Sequence, residues 1–130
     1  MTRAKSLLDT IQKNHIHFIS GVPDSKLKDD LNNLPDIKHV LAVDEGEAAA
    51  IAVGHYIATK EVPLVYMQSD GVCNALNAIT SLVIPYKIPM HIFVSIRTKP
   101  IQHEIMGRLV RPIITRLEKE DININFHIYD

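Results

Sequence analysis

Short apolar runs alternate along this chain with stretches in which apolar residues recur every three or four positions. The first pattern predicts strands covered on both faces, and the second predicts amphipathic helices. Residues 15–20, 39–43, 62–68, 90–96 and 124–129 read as strands. Leu7, Leu8 and Ile11 mark the inner face of a first helix. The first strand leads into the turn Gly21-Val22-Pro23-Asp24-Ser25, and Ser25 is placed to cap a second helix that turns Leu27 and Leu31 inward before Pro35. Residues 48–59 are rich in alanine at helical period, which predicts a helix packed closely on its neighbour. A further buried helix is expected over residues 72–83. Helical period returns from about residue 106 to 120, where Pro112 predicts a kink or a fresh helix start.

Alternation of strands and helices predicts a three-layer α/β/α fold with a mostly parallel sheet. There is no internal repeat, low-complexity tract or linker, so residues 1–130 are expected to form a single domain. In open parallel sheets, ligands meet the loops at the carboxyl ends of the strands. Here those loops are residues 21–25, 44–47, 68–71 and 97–103, all polar.

Composition narrows the function. With 46% hydrophobic residues in 130, the chain can build a core. A formal net charge of -1 argues against nucleic acid or an acidic membrane surface as the main partner. A single cysteine, Cys73, excludes an internal disulfide, and no Cys/His cluster has zinc spacing, which fits a reducing cytosol. The first residues show neither a signal peptide nor a membrane span, so a cytoplasmic protein is expected. His15, His17, His39 and His91 fall in strand-like runs and read as structural. Cys73, on an expected buried helix with no adjacent base, does not read as a nucleophile. No Gly-rich phosphate loop follows the first strand, so a flavodoxin-like nucleotide or flavin site has no support.

The most informative segment runs from Ala42 to Tyr56. A strand ends, acids appear, and the alanine-rich helix begins. Asp44 as N-cap with Glu47 three residues on makes a capping box, worth about 1 kcal/mol. That leaves Glu45 unexplained at the first helical position. By composition alone it is more simply an acid favoured by the helix dipole than a catalyst.

A glutamate before an alanine-rich helix, with a glycine nine positions on at Gly54, is similar to the pyrimidine-binding domain of thiamine-diphosphate enzymes. More closely, the chain resembles the phosphonopyruvate decarboxylases and the alpha subunits of sulfopyruvate decarboxylases. The matching pieces are Gly21-Val22-Pro23-Asp24-Ser25, Asp44-Glu45-Gly46, Val62-Pro63-Leu64-Val65-Tyr66-Met67-Gln68, Asn74-Ala75, Asn77, Thr80-Ser81-Leu82, Ile88-Pro89-Met90, Gln102-His103 and Gly107-Arg108. Each is weak alone, but together they keep the family's order over almost the whole chain.

The resemblance implies a carboxy-lyase acting on a small anionic 2-oxoacid. The product would be phosphonoacetaldehyde and carbon dioxide, or alternatively sulfoacetaldehyde. The Gly-Val-Pro-Asp-Ser and Val-Tyr-Met-Gln pieces lean to phosphonopyruvate. The short chain and Met106-Gly107-Arg108 lean to sulfopyruvate, and the balance tips slightly to the phosphonate. The resemblance also implies that Glu45 hydrogen-bonds the aminopyrimidine of thiamine diphosphate and is the catalytic acid. That role calls for desolvation, which Val43, Ala48 and Ala49 suit and the helix N-terminus opposes. Pro23, Gln68 and Ser69 would line the cofactor. Asp70 stands where relatives carry a neutral residue; it suits a turn with Gly71 as well as a site role. Asp24, Ser25, Arg97, His103 and Arg108 would meet the substrate and its anionic end. Arg97-Thr98-Lys99 departs from the Trp-Arg-Gly-Glu run of phosphonopyruvate decarboxylases.

The family's Mg²⁺ motif, Gly-Asp-Gly with a later Asn, is not matched by Ser69-Asp70-Gly71, so no metal site is expected here. Mg²⁺ and the diphosphate would be held by a beta subunit in a hetero-oligomer, with the cofactor shared between the two chains. Relatives continue past the Ile-Tyr-Asp strand, so the last strand is expected as an exposed edge or a gap for the partner. A catalytically silent binding or regulatory subunit is the rival from another class, and carboligation of two oxoacids is a further thiamine reaction.

Overall fold

A computed structural model describes residues 1–130. Six strands form one sheet: β1 (Thr2–Arg3), β2 (Phe18–Gly21), β3 (Lys38–Leu41), β4 (Leu64–Gln68), β5 (Met90–Ser95) and β6 (Ile124–Tyr129). All neighbours are parallel, in the order β1-β6-β5-β4-β2-β3. The helices are α1 (Leu7–Lys13), α2 (Lys28–Asn32), α3 (Glu45–Thr59), α4 (Val72–Ala78) and α5 (Glu104–Glu118). The α/β/α architecture expected from the sequence is the one observed. No helix is long and apolar enough to cross a membrane.

Two cores flank the sheet. Leu7 and Ile11 of α1 and Leu27 meet Ile19, Leu64, Tyr66 and Phe93 on one face. On the other, α3, α4 and α5 bring Ala52, Ala75, Ile79 and Ile114 onto Val65, Met67, Ile92 and Phe126. The second cluster has 20 buried residues against eight in the first, so the face carrying α3 to α5 supplies most of the hydrophobic stabilisation. Alanines let α3 lie close to the sheet; Ser20 Oγ of β2 donates to the Ala48 carbonyl at 2.8 Å.

Several local expectations need correction. The first strand begins at Phe18, not residue 15. His15 instead closes the turn after α1 with φ 52°, and it is exposed, as is His17. Asp24, not Ser25, caps the turn before α2: its carboxylate accepts from Lys26 N at 3.2 Å, and Ser25 opens a 3₁₀ turn over Ser25–Leu27. Residues 72–83 are helical throughout, but the last part is a π-helical turn over Ile79–Val83. Thr80 Oγ1 donates to the Leu76 carbonyl there, taking up an acceptor of the regular helix. Cys73 lies on the exposed side of α4 rather than in the core. Helix α5 runs unbroken through Pro112, which sits on its exposed face. Finally, β6 is not an edge: β1 pairs with it at His127 and Ile128, so Thr2–Arg3 form the edge instead.

The sheet order reverses at β2, which has β3 on one side and β4 on the other. The carboxyl ends of β2 and β4 therefore flank a topological switch point, where open α/β sheets bind ligands.

Candidate functional site

Glu45 is the first residue of α3 and is only 6% exposed. Asp44 caps the helix by accepting from Glu47 N at 2.9 Å, while Glu47 reaches back to Val43 N at 3.2 Å. The capping roles are thus filled, and Glu45 is free for something else. Its burial does not come from Val43, which is 85% exposed. It comes from the turn after β4. A Cβ on Gly71 would lie 2.5 Å from Glu45 Oε1, so the glycine is what makes room for the carboxyl group. From α4, Asn74 Nδ2 donates to Glu45 Oε2 at 3.0 Å.

Ser69, Asp70 and Gly71 form a 3₁₀ turn at the end of β4, with Gln68, half-buried, before it. Ser69 is fully buried and its hydroxyl accepts from Arg97 N at 3.0 Å, tying this turn to the end of β5. Asp70 Oδ2 pairs with His103 Nδ1. Its other oxygen, Oδ1, is buried with no hydrogen-bond partner. A buried acceptor without a donor is costly unless something fills it.

Beyond β2, Asp24 is held by three donors. Ser95 Oγ donates at 2.5 Å, Arg97 Nη1 at 2.6 Å and Lys26 N at 3.2 Å. The Asp24 side chain is 2% exposed and that of Arg97 23%. Arg97 Nη1 also reaches Ser25 Oγ at 3.2 Å. Much of the charge on Arg97 is therefore offset inside the chain. Lys26 Nζ donates to the Ile96 carbonyl at 2.9 Å, and burial, the largest influence, lowers its pKa. Pro23 is exposed and shares a surface hollow of about 380 Å³ with Asp24, Ser25 and His39.

The structure thus brings Pro23, Asp24, Ser25, Ser69, Arg97 and His103 to one edge of the sheet, with Glu45 beside the turn they share. Arg108 stands apart: its side chain is 69% exposed and its charged neighbour is Glu104, 4.0 Å away on the same helix. Gly54 is also remote, on the exposed side of α3. Asn74 and Ser95 were not singled out as site residues by the sequence. Asn74 lay within a matching motif, but its partner is 29 positions away on another helix. Nowhere do three or more His, Cys, Asp or Glu side chains gather in a metal-binding group.

Two acidic groups at this end of the sheet are buried: the Glu45 carboxyl, with one donor from Asn74, and Asp70 Oδ1, with none.

Residues 1–104 match the family model of the thiamine pyrophosphate enzyme, N-terminal TPP binding domain. The chain is 35% identical over 100 residues to sulfopyruvate decarboxylase subunit alpha of Methanococcus maripaludis, a match covering 75% of this chain and 59% of that subunit. It is 30% identical over 110 residues to phosphonopyruvate decarboxylase of Streptomyces viridochromogenes, covering 78% of this chain and 28% of the relative. The chain thus spans little more than half of the one relative and under a third of the other. Among solved structures, benzoylformate decarboxylase from Polynucleobacter necessarius superposes with a TM-score of 0.69 at 19% identity, over 93% of this chain and 28% of that one. At that identity the likeness speaks for the fold alone. The family match takes in β1 through β5 and every loop of the candidate site up to His103, and this chain belongs to the thiamine pyrophosphate enzymes, as their N-terminal TPP-binding domain.

Proposed function

We propose that the chain is the pyrimidine-binding subunit of a thiamine-diphosphate-dependent 2-oxoacid decarboxylase, acting on phosphonopyruvate to give phosphonoacetaldehyde and carbon dioxide. The observation that carries the reading is the buried carboxyl group of Glu45 at the start of α3, held between Gly71 and Asn74. A buried acid with its capping duties taken over by neighbours is an unusual expense for a small domain. Sharing a proton with the cofactor's aminopyrimidine explains it. When bound, thiamine diphosphate supplies the electron sink that lets carbon dioxide leave a 2-oxoacid.

The chain's own residues orient and hold. Glu45 offers its carboxyl to the ring, while Pro23, Gln68 and Ser69 shape the loops on which the ring rests. Asp70 Oδ1 awaits a donor. His103 and the guanidinium N–H groups of Arg97 not engaged by Asp24 and Ser25 suit an anionic substrate end. Arg108, pointing away, would act only if a partner surface folded over it. With no matching metal motif in this chain, a second polypeptide would hold the diphosphate and Mg²⁺. The relative named as an alpha subunit supports that division of labour. It also supports the second reading, sulfopyruvate as substrate, since its identity of 35% exceeds the 30% to the phosphonopyruvate enzyme.

The experiment is to co-express this chain with a polypeptide carrying the diphosphate domain and assay both oxoacids with thiamine diphosphate and Mg²⁺. Carbon dioxide release from one of them is expected, and Glu45→Gln should lower it by about 10²- to 10⁴-fold while the complex still assembles. Turnover of neither oxoacid would overturn the reading. If Glu45→Gln left every function of the complex intact, the chain would be a silent subunit.

A further inference from the structure

The two oxygens of Glu45 meet different surroundings. Oε2 faces a donor, Asn74 Nδ2, at 3.0 Å. Oε1 faces the bare Cα of Gly71, where any Cβ would come within 2.5 Å. Gly71 and Asn74 are three residues apart in the continuous helical stretch that opens with Ser69–Gly71 and goes on as α4. Residues so spaced lie on one side of a helix. A single helical turn therefore grips both oxygens, one through a hydrogen bond and the other through a missing side chain.

An amide NH₂ donates and cannot accept. A proton on Oε2 would point at another donor and forfeit the bond, whereas a proton on Oε1 leaves the bond intact. We propose that Asn74 is a positioning residue: it reserves Oε2 as an acceptor and makes Oε1 the oxygen on which Glu45 carries its proton. The proposal rests on the reading of Glu45 as the acid that shares a proton with the cofactor ring, and it names the residue that decides which oxygen does so. No other side chain donates to this carboxyl group, so its orientation depends on α4.

The sign of one effect is decisive. A donor at Oε2 favours the ionised carboxylate. Were the amide turned round, its oxygen would face Oε2, require the proton there, and favour the neutral acid. The test uses the full chain without cofactor, labelled with ¹³C at glutamate carboxyl carbons, with the Glu45 signal identified by its loss in Glu45→Gln. In Asn74→Ala the Glu45 titration should move to higher pH, its ionisation constant falling roughly three- to tenfold. Asn74→Asp, which keeps the shape and replaces the donor by a charge, should move it further. Cys73→Ala, on the exposed side of the same turn, should leave it in place. A titration that stays put, or moves to lower pH, in Asn74→Ala overturns the proposal. Because this measurement needs no cofactor, it is separable from the functional reading. Full activity in Glu45→Gln would sink that reading without touching the titration, and an unmoved titration would sink the role of Asn74 without touching catalysis.

Discussion

Gly71 shows how much a site can owe to an atom that is not there. The Glu45 carboxyl occupies the volume a side chain would need, with Oε1 and Cγ each 2.5 Å from the Cβ position. Gly71→Ala should therefore push Glu45 out of its place. Overpacking of this kind costs about 1–3 kcal/mol. The flexible carboxyl end can yield, so the fold should survive with a melting temperature lowered by several degrees. The larger effect should fall on cofactor affinity in the assembled complex, with a drop of at least about tenfold by calorimetry, since roughly 1.4 kcal/mol of lost contact suffices. Unchanged affinity would mean that the position of Glu45 is unimportant for the ring. Asp24 teaches the complementary lesson. Its three donors come from β5, the residue after Ile96 and its own turn, and it serves as the knot that ties the β2 and β5 loops together. Any anion brought to Arg97 has to compete with a carboxylate already in place at 2.6 Å.

At the scale of elements, helix α3 carries a cost that its own contacts do not explain. Gly54 lies in its interior, is exposed, and a Cβ there would meet nothing within 4 Å. Glycine in a helix interior costs about 0.8–1 kcal/mol relative to alanine. Gly54→Ala should thus raise the unfolding free energy of the isolated chain by roughly that amount in a denaturant titration; a destabilised variant would show that the helix is not as open there as it stands. The elements themselves were largely legible in the sequence. Apolar runs gave five strands to within three residues at each end, and the 3.6-residue period gave the long helices, because burial on a two-faced sheet writes itself into hydrophobicity. What escaped were features decided by partners distant in sequence. β1 is two residues long and exists only because β6 is beside it. Asp24 won the capping role because its carboxylate is fixed by Arg97, 73 positions away. Pro112 predicts a kink or a fresh helix start, yet on an exposed helix face the turn tolerates the missing N–H. In the site, Glu45 was legible as an acid that its helix cap did not need. The Asn74 contact was not, because nothing local to either helix start predicts which turn of α4 will face which turn of α3.

The whole molecule carries its own pH limit, set far from Glu45. On the α1 face of the sheet, His91 Nδ1 and His127 Nε2 are 3.0 Å apart. One ring must donate and the other accept, so the contact holds only while at least one is neutral. His127 is 7% exposed. Burial, then the neighbouring His91, then the N-terminal ammonium push its pKa down to about 4, and burial lowers that of His91 as well. In the unfolded chain an imidazole titrates at about 6.5. Between those values the unfolded chain takes up a proton that the folded one refuses. Stability from this group is therefore complete above about pH 6.5 and is lost as the pH falls toward 4, amounting to roughly 2 kcal/mol by pH 5. His127 stands opposite Thr2 in the β1–β6 pairing, so the loss falls on the edge that β1 closes. Melting temperatures measured from pH 8 to pH 4 should decline most steeply below 6.5. His127→Gln, which keeps a polar partner for His91 without a titrating ring, should start lower at pH 8 and decline less. An equally steep decline in that variant would move the origin of the acid sensitivity away from this histidine pair.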